Sequence, residues 1–267
     1  WAMTFDPETT TKADHLDTWF TKILYDDRVH GVEFPLFETS PSAVGDFTDD
    51  SVGLGCTPST AATANWDDFA RLPQFWCLEV SAEKKGNGAP VIYYIEHIDD
   101  TADVRSGEHL CWVLQKNTYY RQWEDNGYMY LKTRCTEAEG YAQWDDGTDK
   151  TGRVWGFMAH PKYAAGLDAN GVITCGTGLA PTCFKSHTQL VNLWRIRGSQ
   201  YAGASGRLVT FLERMMMLKY ARKGNSDTIN GCSSYSYDYT AAVSETGVTR
   251  VILTAAQANN LLVGSCV

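Results

Sequence analysis

The first hydrophobic pattern in the chain has the period of a helix. Between Asp14 and Tyr25 the apolar residues recur at helical spacing, at Leu16, Trp19, Phe20, Ile23 and Leu24. The following stretch, Glu38–Asn65, is rich in Thr, Ser, Asp and Gly and has little periodicity, which predicts a long irregular connection. We therefore predict an N-terminal helix with an irregular attachment or linker segment over residues 1–65, and a folded domain over residues 66–267.

Two hairpins are predicted at the start of that domain. The first joins residues 75–80 to residues 91–95 across a polar tract in which Gly86 and Gly88 allow a tight turn. The second leads from residues 110–120 through Asn126-Gly127 into residues 128–134. Aromatic and polar residues alternate in the second hairpin, which predicts one buried and one solvated face.

The longest helical pattern runs from Gly206 to Lys223. Its apolar residues recur at Leu208, Phe211, Leu212, Met215, Leu218 and Tyr220. Gly224 stands where a C-terminal cap is expected. Thr210 and Glu213 fit a capping box, which places the start of the helix proper at Phe211.

The remaining pattern completes the prediction of an α+β fold with small antiparallel sheets, few helices and long loops. Residues 247–254 are predicted to form a strand. Met215–Met217 are predicted to fill the core, and Tyr119, Tyr120 and Trp123 are predicted to lie in the core or at a subunit interface.

The balance of charges narrows the class of partner. The chain has 267 residues, with 23 basic and 32 acidic side chains and a formal net charge of −9. An acidic surface repels phosphate backbones, so no nucleic-acid partner is expected. No stretch reaches the roughly 18 consecutive apolar residues of a membrane-spanning helix, so no membrane span is expected.

Eight cysteines are widely spaced, at positions 56, 77, 111, 135, 175, 183, 232 and 266. The sequence contains no Cys-x-x-Cys, so a structural zinc site is not expected. The sequence is equally compatible with mostly buried free thiols and with one or two disulfide bridges.

One part of the chain resembles a known family. It comprises His160-Pro161, Gly198-Ser199 and a helical segment in which the following residues occur in order: Arg207-Leu208, Thr210, Glu213, Tyr220-Ala221-Arg222 and Gly224. This order resembles the formylglycine-generating-enzyme-like branch of the C-type-lectin superfamily. It is also similar to phage and prophage receptor-binding proteins, including the variable proteins of diversity-generating retroelements. The match runs from His160 to Ser234.

The resemblance implies a C-type-lectin-like domain over residues 66–267, in which a stable scaffold carries changeable loops. It implies a non-catalytic receptor-binding protein, such as a phage or prophage tail or surface adhesin, that recognises a bacterial cell-surface protein or glycan. The expected partners are other virion or surface subunits, and the expected oligomeric state is a homotrimer. The expected location is a virion or the extracellular surface. The Trp- and Arg-rich end of the family is not found before Val267, so the resemblance implies a domain truncated at its C-terminal end, with either more chain following in the native protein or a further domain cut away.

Two other functions fit the same resemblance. A structural virion protein would use the fold for assembly, and a divergent oxidase would use a metal. The copper of the oxidases is held by a close cysteine pair late in the domain, whereas Cys175 and Cys183 precede the long helix and Cys232 and Cys266 are far apart. The iron-dependent relatives need clustered histidines, and this sequence contains no His-x-x-x-His. Neither an enzyme nor a cofactor is expected.

Calcium and hydrolase chemistry have weak support in the sequence. Asp99, Asp100 and Asp103, like Asp145, Asp146 and Asp149, could supply oxygen ligands for calcium. Clustered aspartates in loops are more often solvated or cap a helix, so no metal site is predicted. The sequence contains no Gly-x-Ser-x-Gly, Walker loop or His-Glu-x-x-His.

The candidate ligand-binding residues follow the long helix. They are Ser234, Tyr235, Tyr237, Asp238 and Tyr239. Tyrosine alternating with Ser and Asp is typical of adaptable binding loops, because a rigid amphipathic ring gives contact area at a small entropic cost. A β-strand with one aromatic face is an equally open interpretation.

Overall fold

Two antiparallel sheets carry most of the strands in the computed structural model, which describes residues 11–38, 43–57, 64–224, 241–248 and 250–259. The five-stranded sheet consists, in order across it, of β10 (Ala142–Gln143), β8 (Tyr119–Asp125), β9 (Tyr128–Arg134), β1 (Val29–Pro35) and β2 (Asp46–Asp49). The four-stranded sheet consists of β11 (Phe157–Pro161), β7 (Leu110–Lys116), β5 (Cys77–Lys84) and β6 (Pro90–Ile95).

Short ladders and helices complete the described fold. The ladders are β3 (Cys56–Thr57) with β4 (Trp66–Asp67), and β12 (Gly166–Leu167) with β13 (Ile173–Thr174). The α-helices are α1 (Lys12–Thr18), α2 (Thr101–Arg105), α3 (His187–Arg197), α4 (Gly206–Tyr220) and α5 (Ala255–Ala258). A π-helical turn (Trp19–Ile23) continues α1, and a 3₁₀ turn spans Asp145–Gly147. The predicted α+β class with small antiparallel sheets is confirmed.

Both predicted hairpins form. Strands β5 and β6 pair antiparallel, and Gly88 in the turn between them has a φ of +86°. Strands β8 and β9 pair through Asn126 and Gly127, whose φ angles of +49° and +82° suit the tight turn of a two-residue hairpin. Strand β7 departs from the second hairpin, because it pairs with β5 and β11 in the other sheet.

The chain passes from one sheet to the other through two buried residues, Asn117 and Thr118. The Asn117 amide nitrogen donates to the carbonyls of Trp144 and Trp155, at 3.3 and 3.2 Å, and its oxygen accepts from the Trp144 N–H at 3.2 Å. The Thr133 hydroxyl donates to the Thr118 hydroxyl at 2.8 Å. These bonds satisfy polar groups that would otherwise be costly to bury, and they connect the two sheets.

Each sheet has its own core. Helix α4 packs on the five-stranded sheet, in a cluster that includes Val32, Phe34, Leu131, Phe211, Met215 and Leu218. Helix α1 and its π-helical turn pack on the four-stranded sheet, in a cluster that includes Leu16, Phe20, Leu78, Val80, Leu114 and Phe157. Met215 and Met217 are buried, as predicted, whereas Met216 is only half-buried. Tyr120 stacks on buried Trp144 with ring centroids 3.8 Å apart. The ring of Trp123 stacks instead on Tyr130, with centroids 5.0 Å apart.

The N-terminal segment joins these cores directly. The predicted helix is confirmed, although it starts at Lys12 and ends as a π-helical turn. The expected irregular connection contains β2 and β3, and β1 pairs with β9 along its whole length. The described residues 12–38 and 43–57 therefore share sheets and cores with the later chain, and the predicted domain boundary at residue 65 stays a prediction.

The ends of α4 differ from the prediction. The helix begins at Gly206 and not at Phe211, because the Ser205 hydroxyl, in place of Thr210, caps it by accepting from the Leu208 N–H. Its C-terminal cap is Ala221, in the left-handed conformation with φ +49°, where Gly224 was expected. Downstream, the predicted strand over residues 247–254 is wrong for the residues described there, which have no ladder partner.

Candidate functional site

The ligand-binding residues predicted from the sequence, Ser234, Tyr235, Tyr237, Asp238 and Tyr239, lie outside the described residues. Their role stays a prediction. The site described below is formed by other parts of the chain.

A groove of about 440 Å³ lies beside the N-terminus of α4. Strands β7 and β11, the loop between α3 and α4 (residues 198–205) and the 3₁₀ turn all contribute to its lining. Its volume falls in the range of roughly 300–1,000 Å³ that is common for ligand pockets. We call it the aromatic groove, because Trp112, Trp194 and Tyr201 line it.

The aromatic rings of the groove are held by specific contacts. The Trp112 indole N–H donates to the Ala82 carbonyl at 3.2 Å. The rings of Trp194 and Tyr201 lie nearly parallel, with centroids 6.2 Å apart and an interplanar angle of 27°. Both tryptophans are half-buried, so part of each ring remains accessible.

The loop between α3 and α4 is attached to the end of β5. The buried Tyr201 hydroxyl donates to the Glu83 carboxylate and accepts from the Lys84 N–H at 2.6 Å. The Gln200 side-chain amide donates to the Lys84 carbonyl at 2.7 Å. Burial, and then the bond to Glu83, raise the pKa of Tyr201, so its hydroxyl keeps its proton at neutral pH.

The same carboxylate anchors the C-terminal end of α3. Arg197 donates to Glu83, and also to the carbonyls of Ile173 and Glu108 at 3.0 and 3.1 Å. Its guanidinium is therefore bound on several sides, which suits the fixed fork of donors that arginine carries. Glu83 thus fixes both the helix and the loop that line the groove.

Charged residues form the rim of the groove. We define the rim as Asp145 and Asp146 of the 3₁₀ turn together with Arg207 of α4. The Arg207 guanidinium donates to Asp145 at 2.9 Å, while both side chains remain about 70% exposed. Asp146 accepts a hydrogen bond from Ser205, the N-cap of α4.

Lys84 supplies a second positive charge inside the groove. Its ammonium lies 5.4 Å from the centroid of the Trp112 ring, within the distance of a cation–π interaction. Surrounding protein atoms lower the pKa of Lys84 by desolvation, and the nearby Asp146 opposes this shift.

The aspartates considered for calcium have other partners. Asp99 accepts from the Ile95 N–H, Asp100 caps α2, and Asp149 accepts from Thr151 and from the Trp155 indole. Among the described residues, no group of three or more His, Cys, Asp or Glu side chains is arranged to hold a metal ion. The six described cysteines are free thiols, and Cys232 and Cys266 lie outside the described residues.

The aromatic residues of the groove were not singled out from the sequence, and Asp145, Asp146 and Arg207 were named there for other reasons. Trp112 belongs to a predicted strand, where an aromatic residue indicates packing as readily as binding. The best available signal was residues 198–206, in which a single tyrosine is surrounded by Gly, Ser and Ala before a helix. Gly203 in this loop has a φ of +95°, a conformation that favours glycine.

The chain gives no match to protein-family models, to characterised proteins or to solved structures. Within the described ranges, no helix has the length and apolar character needed to cross a membrane.

Proposed function

We propose that this chain is a non-catalytic recognition protein, a virion or cell-surface adhesin that binds a bacterial surface protein or glycan. The observation that carries the proposal is the aromatic groove. It combines accessible indole rings with charged groups of both signs, as binding sites commonly do.

Contacts within the protein hold several side chains of the groove in place. Glu83 fixes Tyr201 and Arg197, and the bond to Ala82 orients Trp112. Ligand binding therefore loses little side-chain freedom in the protein, and a larger part of the contact energy contributes to affinity.

We also propose a C-type-lectin-like domain for this fold. Helix α4 carries most of the residues that resemble the family, and it packs through Phe211 and Leu218 on the five-stranded sheet. Long connections, including residues 162–186 with only two short strands, lie outside the main sheets. A scaffold of this kind tolerates changes in its loops, because they contribute little to the core.

Binding to a panel of intact bacterial strains tests the proposal. We expect saturable binding of the labelled full chain to at least one strain, and weaker binding after Trp194→Ala. Trp66→Ala is the matched control, because Trp66 is 62% exposed and does not line the groove. A parallel triple variant, in which Tyr235, Tyr237 and Tyr239 become Ala, tests the segment predicted from the sequence. The absence of binding to every strain would count against an adhesin.

A structural virion protein is the second candidate, and the surface around α3 favours it. Phe184 is 93% exposed and has a φ of +55°, and Ile196 on α3 is 68% exposed. Contiguous exposed apolar patches mark contacts between proteins, and Phe184 and Ile196 are the side chains that would contribute to such a patch here. If assembly is the function, the purified chain forms large oligomers, and Phe184→Ser with Ile196→Ser disperses them in sedimentation velocity. The trimer expected from the resemblance would appear in the same measurement.

A further inference from the structure

The side chains that line the aromatic groove carry equal numbers of positive and negative charges. Lys84 and Arg207 are its basic lining residues, and Asp145 and Asp146 are its acidic ones. A phosphate or carboxylate ligand would meet two carboxylates, and a cationic ligand would meet an ammonium and a guanidinium. The lining therefore favours a ligand that carries no net charge.

The polar groups of the lining suit a ligand rich in hydroxyls. Carboxylates accept hydrogen bonds, Lys and Arg donate them, and the hydroxyl of Thr148 does both. Each hydroxyl of a ligand also donates and accepts. The ion pair between Arg207 and Asp145 is exposed and therefore weak, so ligand hydroxyls can replace it at little cost.

The apolar part of the lining is largely aromatic. Trp112 and Trp194 present indole rings, and Tyr201 stacks near Trp194. A flat apolar ring packs well against a ligand that has one apolar face. A pyranose ring has this character, because its C–H groups lie on its faces and its hydroxyls point outward.

We propose that the aromatic groove binds neutral pyranose units of a bacterial surface glycan. This inference rests on the proposed function and specifies the ligand of the same site. The rings of Trp112 and Trp194 pack on the sugar faces, while the rim and Lys84 bond to the hydroxyls.

A peptide is less well suited to this groove. Peptides commonly bind beside a sheet by adding a strand to its edge, and β11 is an edge strand next to the groove. Strand β11 is short, however, and ends at Pro161, which has no N–H to donate. Few backbone N–H donors therefore lie along this edge of the groove, and side chains supply most of the groups that a ligand can contact.

Selective treatment of the cells separates the ligand class from the function. Sodium periodate cleaves the vicinal diols of glycans, whereas proteinase K removes surface proteins. We expect periodate to abolish binding of the full chain to a positive strain, and proteinase K to leave it intact. Loss of binding after proteinase K alone would overturn the saccharide inference while leaving the adhesin proposal standing.

An array of immobilised oligosaccharides then tests the groove itself. The probes are neutral oligomers of glucose, galactose, mannose and rhamnose, with their uronic-acid and phosphorylated counterparts. We expect retention on a neutral series, with little change between about 0.05 and 0.5 M NaCl, because neutral ligands are not screened by salt. Preference for acidic probes with strong salt dependence would overturn the inference.

Two variants connect the array result to the groove. Trp112→Ala is expected to weaken binding about ten-fold, equivalent to about 1.4 kcal/mol. Because Trp112 also packs against core residues, the second variant changes only the exposed rim, with Asp145→Asn and Arg207→Ala together, and is expected to weaken binding several-fold. Trp66→Ala should bind as the unmodified chain does. Unchanged neutral-sugar binding in both groove variants would place the site elsewhere and refute the proposal.

Discussion

Helices α3 and α4 flank the same loop, and they are stabilised in different ways. Helix α4 buries five residues, which are Leu208, Phe211, Met215, Met217 and Leu218, whereas no residue of α3 is buried against the described chain. Helix α3 has instead a capping box, in which Ser186 and Gln189 bond each other's backbone N–H groups, and an anchored last turn at Arg197. Between its ends, α3 contacts the core through half-buried Trp194, which lies beside Tyr201. A helix can thus be positioned largely by its ends, and such a helix leaves little hydrophobic pattern in the sequence.

The largest effect should come from the core of α4. Phe211 is fully buried and packs edge-on against Trp144, with ring centroids 5.3 Å apart. Phe211→Ala should lower the free energy of unfolding by about 3–5 kcal/mol, through lost burial and a cavity. Ile196→Ala on exposed α3 is the control, expected within about 0.5 kcal/mol of the unmodified chain. Chemical denaturation measures both, and equal losses would refute the contrast between the helices.

The next effect concerns the anchor of α3. Arg197→Ala removes bonds to Glu83 and to two carbonyls, and it should lower the free energy of unfolding by about 2 kcal/mol, because partly buried acceptors lose their partner. In the Arg197→Ala variant, hydrogen exchange should show faster opening of α3 than of α4. If α3 keeps its protection in this variant, its position does not depend on the anchor.

The caps of the two helices give a smaller contrast. Ser205→Ala should lower the free energy of unfolding by about 1 kcal/mol, a typical value for a lost N-cap. Ser186→Ala removes an equivalent cap, but it should mainly speed local exchange in α3, since no residue of that helix is buried in the described core. If Ser186→Ala lowered the free energy of global unfolding more than Ser205→Ala does, the cap of α3 would matter more than the cap of α4, and the prediction would be contradicted.

The smallest expected effect is a pH dependence in the core on which α4 packs. His30 is fully buried beside Phe69 and Phe75, and this burial lowers its pKa. The unfolded chain therefore takes up a proton at this residue before the native chain does, and stability falls as the pH drops below about 6.5. His30→Gln should flatten part of this decline in denaturation measured between pH 7.5 and 5.5. An equally steep decline in the variant would assign it to other groups.

The sequence predicted the elements whose side chains alternate between core and solvent. Helix α4 was found because its buried residues recur at the helical period, and the β8–β9 hairpin was found because Asn126-Gly127 marks its turn. Helix α3 was missed because none of its residues is buried. The strand predicted over residues 247–254 is absent from the described part of that range, because apolar spacing alone does not supply a partner strand.

The candidate site was less predictable than the fold. Its residues come from β5, β7, α3, the 3₁₀ turn and the loop before α4, and only the packing of both sheets brings them together. The role of Glu83 is an example, since its bonds to Tyr201 and Arg197 join positions more than a hundred residues away in the sequence. No local pattern reports such contacts.

The pairing of β1 with β9 also determines when the protein can fold. Val29 lies opposite Arg134 and Pro35 opposite Tyr128. Strand β1 is synthesised first, and it can pair only after β9 has been synthesised. During synthesis, β1 leaves the ribosome long before its partner, and its apolar residues Val32 and Phe34 remain without their core until β9 has emerged. Contacts between such distant segments slow folding, and we therefore expect the growing chain to expose apolar surface for an interval in which aggregation is favoured.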